Sequence, residues 1–102
     1  MPTHVYTRQG DWAGVVRGNL RSADAALRYG AGDKVSDEFP HAIEYLVYGY
    51  LQEGDVANAS MQRDRLLSTQ NIQPSFKTAF HLASVQARIP LEARDWNAAA
   101  QL

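Results

Sequence analysis

Residues His41 to Leu67, HAIEYLVYGYLQEGDVANASMQRDRLL, hold two apolar stripes of helical period broken by one Gly-Asp pair, and this pattern reads as an antiparallel helical hairpin. Ile43, Leu46, Val47, Tyr50 and Leu51 fall at i, i+3, i+4, i+7 and i+8, which places all five on one helix face. Gly54 then ends the helix, since glycine enters the left-handed conformation that closes a C-terminus. Asp55 follows at the position where a carboxylate accepts hydrogen bonds from the free N–H groups of the next helix. Val56, Ala59, Leu66 and Leu67 continue the apolar face beyond it.

The same turn chemistry recurs. Gly10-Asp11 stands after Thr3 to Gln9, where about two turns of helix fit, and from Asp11 the series Trp12, Val15, Val16, Leu20, Ala23, Leu27 gives a helical face of roughly five turns. Gly30, Gly32 and Asp33 end that helix. Asp37 is placed to cap the next one, with Pro40 in its first turn, where the missing N–H costs little. After the hairpin a polar connector runs from Ser68 to Gln73, and Pro74-Ser75 mark another start. Phe76, Ala79, Phe80, Ala83 and Ala87 are expected to form the apolar face of that helix, widened by Leu82, Val85 and Ile89, with Pro90 kinking or ending it. Arg94-Asp95-Trp96 opens a final helix to Leu102. No strand-length alternation competes, so the expected fold class is all-α, about six helices in three hairpins near 1–30, 37–69 and 74–102 of one domain.

Composition narrows the function classes. Hydrophobic residues at 45% and charged residues at 21% suit a folded domain rather than a disordered tail. A formal charge of −1 with interspersed signs provides no electrostatic footprint for nucleic acid or an anionic membrane. The absence of cysteine removes disulfides, iron–sulfur clusters, thiolate zinc sites and cysteine nucleophiles. Without a signal-like start or a long apolar run, the expected setting is soluble and cytoplasmic, with no membrane contact.

Aligned on their turns, Gly10-Asp11-Trp12, Gly54-Asp55-Val56 and Arg94-Asp95-Trp96 are separated by 44 and 40 residues. Self-similarity of this kind is the mark of a helical solenoid. The chain resembles the tetratricopeptide repeat family, in which a helix, a Gly-Asp-aromatic turn and a second helix stack into a right-handed superhelix. Ile43, Leu46, Tyr50, Gly54, Asp55 and Ala59 match that pattern. Gly10, Asp11 and Trp12 fit in the first unit, where Val15 and Ser22 replace alanines. Asp95, Trp96 and Ala99 fit in the last, where Pro90 falls at a usually aromatic position. The spacing exceeds the family's repeat of about 34 residues, implying longer helices or loops. More narrowly, MPTHVYTRQGDW, HAIEYLVYGYLQEGD and ARIPLEARDWNAAAQL look like the C-terminal part of larger bacterial repeat proteins of unassigned function, which makes a short free-standing solenoid the expectation.

In that family the first helices line a concave groove. The resemblance therefore implies groove positions at His4, Thr7 and Arg8, at His41, Glu44, Tyr48 and Gln52, and at His81, Ser84 and Arg88. His41 and His81 each stand 13 residues before their turn. Stacked helices lie about 10 Å apart, so equivalent histidines are not expected to share a metal directly, although a staggered pair with Glu44 could ligate zinc or move protons near neutral pH. The plainer account outweighs that one, because no HExxH or paired-ligand spacing is present: the histidines bond to neighbours inside a groove. Tyr45, Tyr48 and Tyr50 offer a binding platform, with Tyr50 the more suited to the core and Tyr48 to the groove. Arg17, Arg21 and Arg28 line one helix side without interleaved aromatics, which is weak support for nucleic-acid binding.

The leading expectation is a non-catalytic interaction module that takes a peptide or partner segment in its groove, with no cofactor or metal. Its groove residues are His4, Arg8, His41, Glu44, Tyr48, Gln52, His81 and Arg88. A competing class is a self-associating homodimer in which Trp96, Ala99 and Leu102 cap the exposed end of the solenoid. A metal or hydrolase site on the groove histidines ranks last.

Overall fold

Asp11 opens the first helix, and it does so with its side chain: Oδ1 accepts from the Gly14 N–H at 2.9 Å. The computed structural model describes residues 11–92, and within them the chain forms four helices: α1 (Trp12–Arg28), α2 (Glu38–Gln52), α3 (Val56–Ser68) and α4 (Phe76–Glu92). The described fold is all-α, with only isolated bridges between loops. The segments expected to supply the first and last helices, together with His4, Arg8, Trp96, Ala99 and Leu102, lie outside the described residues.

The Gly54-Asp55 turn has the geometry its residues dictate. Gly54 takes φ +75°, its N–H donates to the Leu51 carbonyl at 3.0 Å, and the Asp55 N–H donates to the Tyr50 carbonyl at 2.8 Å. These two bonds satisfy the last carbonyls of α2. Asp55 then caps α3 at once, accepting from the Asn58 N–H at 3.1 Å and from Asn58 Nδ2 at 2.6 Å. Those bonds hold its carboxyl below the usual carboxylate range.

Helix α2 is the centre of the fold, packed against α1, α3 and α4. Phe39, Pro40, Ala42, Ile43, Leu46, Val47 and Gly49 are all buried, so it is apolar on more than one side, as a helix with neighbours all round must be. Gly49 allows α1 to come close, since a Cβ there would stand 3.1 Å from a methyl of Val16 and 3.3 Å from one of Val15. Val15, Val16, Ala23 and Ala26 of α1, Ala59 and Leu66 of α3, and Val85 and Ile89 of α4 complete the core.

Backbone hydrogen bonds tie together the loops before α2 and α4. The Val35 N–H donates to the Asn71 carbonyl at 2.9 Å and the Gln73 N–H to the Val35 carbonyl at 2.7 Å. Asn71 Nδ2 adds a bond to the Asp33 carbonyl at 2.8 Å. Both helices thus start from one fastened end and run alongside each other in the same direction, which sets the register of the side chains between them.

Four expectations are corrected. On α4 the buried stripe is Thr78, Val85 and Ile89 with Leu82 half-buried, whereas Phe76 and Phe80 are 96% and 64% exposed. Both stripes have helical spacing, and the one rich in branched side chains is turned inward. On α3 the cap at Asp55 rotates Val56 outward, and Ala59, Gln62 and Leu66 are buried while Leu67 is exposed, as is Leu27 on α1. Asp37 makes no side-chain cap: its Oδ2 accepts from Ser75 Oγ at 3.0 Å, and Ser36 Oγ accepts from the Glu38 N–H instead. Of the two outcomes expected at Pro90, a kink or an end, the end does not occur, since α4 continues to Glu92.

Candidate functional site

Two stripes face each other across the α2–α4 interface. On α2, residues 41, 44, 45 and 48 recur at i, i+3, i+4 and i+7, and on α4, residues 81, 84 and 88 recur at i, i+3 and i+7, so each set shares one helix side. Because the two helices leave the same fastened end, the stripes meet, and they line an open cavity of about 340 Å³ with His41, Glu44, Tyr45, Tyr48, Phe80, His81 and Arg88 on its walls. This lies at the small end of the range of about 300–1,000 Å³ typical of ligand sites.

Glu44 is the polar hub. Its residue is only 9% exposed, and its carboxylate accepts from three donors: His81 Nδ1 to Oε1 at 2.6 Å, Ser84 Oγ to Oε2 at 3.1 Å, and Arg88 Nη2 to Oε2 at 3.3 Å. A buried carboxylate is tolerated only with such partners. The Arg88 guanidinium also stands 5.2 Å over the Tyr48 ring, whose edge-on contact with Trp12 (5.4 Å between centroids) braces it from α1. Arg88 thus gives one N–H to a carboxylate and its face to a ring, while its Nε–H is buried without a partner.

His41 has a different environment. Its ring lies 5.0 Å from that of His81 and 5.1 Å, edge-on, from Tyr45, and its Nδ1 is buried without a hydrogen-bond partner. Burial foremost, then the neighbouring His81 and Lys77, hold its pKa below the ordinary imidazole value, against the opposing pull of Glu38 and Glu44. His41 stays neutral where an exposed histidine would begin to take a proton. Its ring also borders a second cavity of about 290 Å³, walled by Ser22, Tyr29, Ser36 and Glu38 among others. An ion pair between Lys77 and Glu38 spans the start of α2 and α4.

Of the groove positions implied by the sequence, His41, Glu44, Tyr48, His81 and Arg88 come together on the cavity wall, and Ser84 reaches it through Glu44. Gln52 is exposed near the C-terminal end of α2 and is not on that wall; His4 and Arg8 lie outside the described residues. Phe80 is the wall residue that sequence reasoning placed in the core, and the competing stripe Thr78, Leu82, Val85, Ile89 was the signal that could have turned it outward. The two imidazoles approach more closely than the helix spacing suggested, because side chains from both helices reach into the gap. No group of three or more histidine, aspartate or glutamate side chains is arranged to hold a metal among the described residues. Arg17, Arg21 and Arg28 are all exposed. No helix among the described residues is long and apolar enough to cross a membrane.

Fold and site together define a small all-α protein with an aromatic, internally neutralised cavity between two parallel-running helices. No family model, curated protein or solved structure matches the chain.

Proposed function

We propose that this protein is a tetratricopeptide-like interaction module, without catalytic activity, that seats a short segment of a partner protein in the cavity between α2 and α4. The observation that carries this reading is the composition of the wall: Tyr45, Tyr48 and Phe80 offer ring surface, while the opposite charges of Glu44 and Arg88 are paired and leave no net charge demanding a counter-ion. Ring faces beside fixed polar groups are the make-up of a recognition pocket. The repeated Asp cap at the starts of α1 and α3 supports the repeat reading, since both follow the same turn chemistry.

The test is an amide-resolved NMR titration with short peptides carrying one tryptophan, tyrosine or phenylalanine. Saturable shifts confined to residues 41–48 and 80–88, lost in Phe80→Ser, are expected. Shifts scattered elsewhere, or none, would refute the reading. A second reading, self-association, is favoured by the exposure of Phe76 and Phe80 one turn apart on α4. Light scattering over a dilution series tests it, a dimer disrupted by Phe76→Ser being the expected outcome.

A further inference from the structure

The hydrogen-bonding state of the two cavity histidines can be worked out from their partners. Glu44 is a carboxylate acceptor, so the His81 Nδ1 that meets it at 2.6 Å carries the proton. In the neutral ring Nε2 is then a bare acceptor. His41 is the reverse. Its buried Nδ1 has no partner, and an unsatisfied N–H costs more there than an unused lone pair, so the proton belongs on Nε2. Burial, the largest influence on it, keeps that ring neutral. Two imidazoles 5.0 Å apart, on one cavity wall, thus offer one donor and one acceptor.

We infer that His41 and His81 together read one primary carboxamide of the bound partner segment, that of an asparagine or glutamine side chain, His41 Nε2–H donating to its carbonyl oxygen and His81 Nε2 accepting from the N–H on the same side, with an adjoining aromatic side chain against Tyr45, Tyr48 and Phe80. This rests on the proposed groove reading and names the chemistry recognised there. An anionic ligand fits less well, because the one arginine on the wall is already paired with Glu44 and stacked on Tyr48, and His41 resists the proton that would make it a cation. A primary carboxamide is neutral and presents an acceptor beside a donor on one edge, which matches the pair. An ester of the same shape retains the acceptor and lacks the donor.

The experiment compares two probes with one ring each, 3-phenylpropanamide and methyl 3-phenylpropanoate, titrated into the full chain while the imidazole ¹⁵N resonances are followed near neutral pH. The amide is expected to shift the ring nitrogens of both histidines and to bind roughly tenfold more tightly than the ester, the worth of one net hydrogen bond. His41→Gln, which keeps an N–H donor, retains the preference, and His41→Leu loses it while aromatic contact persists. Equal binding of the two probes at the cavity, or a preference unaffected by His41→Leu, overturns the inference and leaves the groove reading standing. No shift with either probe removes both. Binding that depends on added zinc also overturns it, since the histidines would then be metal ligands.

Discussion

Replacing Glu44 with glutamine keeps the size of the hub and changes one acceptor into a donor. The three incoming bonds decide how the new side chain settles. Ser84 and Arg88 both donate to Oε2, and Arg88 cannot do otherwise, so the glutamine carbonyl takes that side and its NH₂ faces His81. His81 Nδ1 must then accept, and its proton moves to Nε2. The energetic loss is the charge-assisted part of the contact with Arg88 and His81, about 1 kcal/mol for each bond before allowing for solvent. Arg88 is 31% exposed, which reduces its share, so the net destabilisation comes to about 1.5 kcal/mol. With a urea m-value of about 1.3 kcal/mol per molar, the unfolding midpoint falls by about 1 M. Imidazole ¹⁵N spectra should show His81 switched to the Nε2–H form, and the amide probe should lose its advantage over the ester. Glu44→Leu, which leaves the Arg88 charge without its partner, should cost about 3 kcal/mol. An unchanged midpoint together with an unchanged His81 spectrum in Glu44→Gln would refute the assignment of Glu44 as the hub.

Other perturbations test the packing and the electrostatics separately. Because the folded chain resists a proton on His41 that the unfolded chain accepts, stability should decline as pH falls through about 6.5 and level off below the lowered folded value. Urea melts of the parent and His41→Gln across that range should show the parent alone carrying this slope; a slope of opposite sign contradicts the argument. Gly30→Ala puts a Cβ within 2.4 Å of the Lys34 carbonyl oxygen, which already accepts from the Ala31 N–H, so a loss of about 1–3 kcal/mol is expected in thermal melts. Gly49→Ala crowds two valine methyls and meets the Trp12 carbonyl oxygen at an ordinary 3.7 Å, and the helix-propensity gain of about 1 kcal/mol offsets the crowding, leaving stability within about 1 kcal/mol of the parent. Phe76→Ser should change stability by no more than about 0.5 kcal/mol, whereas Val85→Ala, at a fully buried position, should cost about 2 kcal/mol; the reverse order would mean that α4 is turned the other way.

Local rules account for much of this fold. The helix breaks at Gly54, the caps at Asp11 and Asp55 and the inward stripe of α2 depend on residues within a turn or two of one another, so they can be read without knowing the rest of the chain. The residues of the cavity wall are likewise legible as stripes, since 41, 44 and 48, or 81, 84 and 88, share a helix side by spacing alone. The choice between two rival stripes on α4 is not local. Phe76 and Phe80 have the period of a core face as much as Thr78, Val85 and Ile89 do, and the choice rests on which set packs against α2 and α3. The Asp37 carboxylate was available as a cap and was taken instead by Ser75, a partner 38 residues away. The meeting of Glu44 with His81, Ser84 and Arg88 depends in the same way on the paired loops at Val35 and Ile72, which set α2 and α4 in register. Helical periodicity is written into consecutive residues, whereas rotation and register between helices are settled by contacts between residues distant in the chain, where several faces of similar hydrophobicity compete.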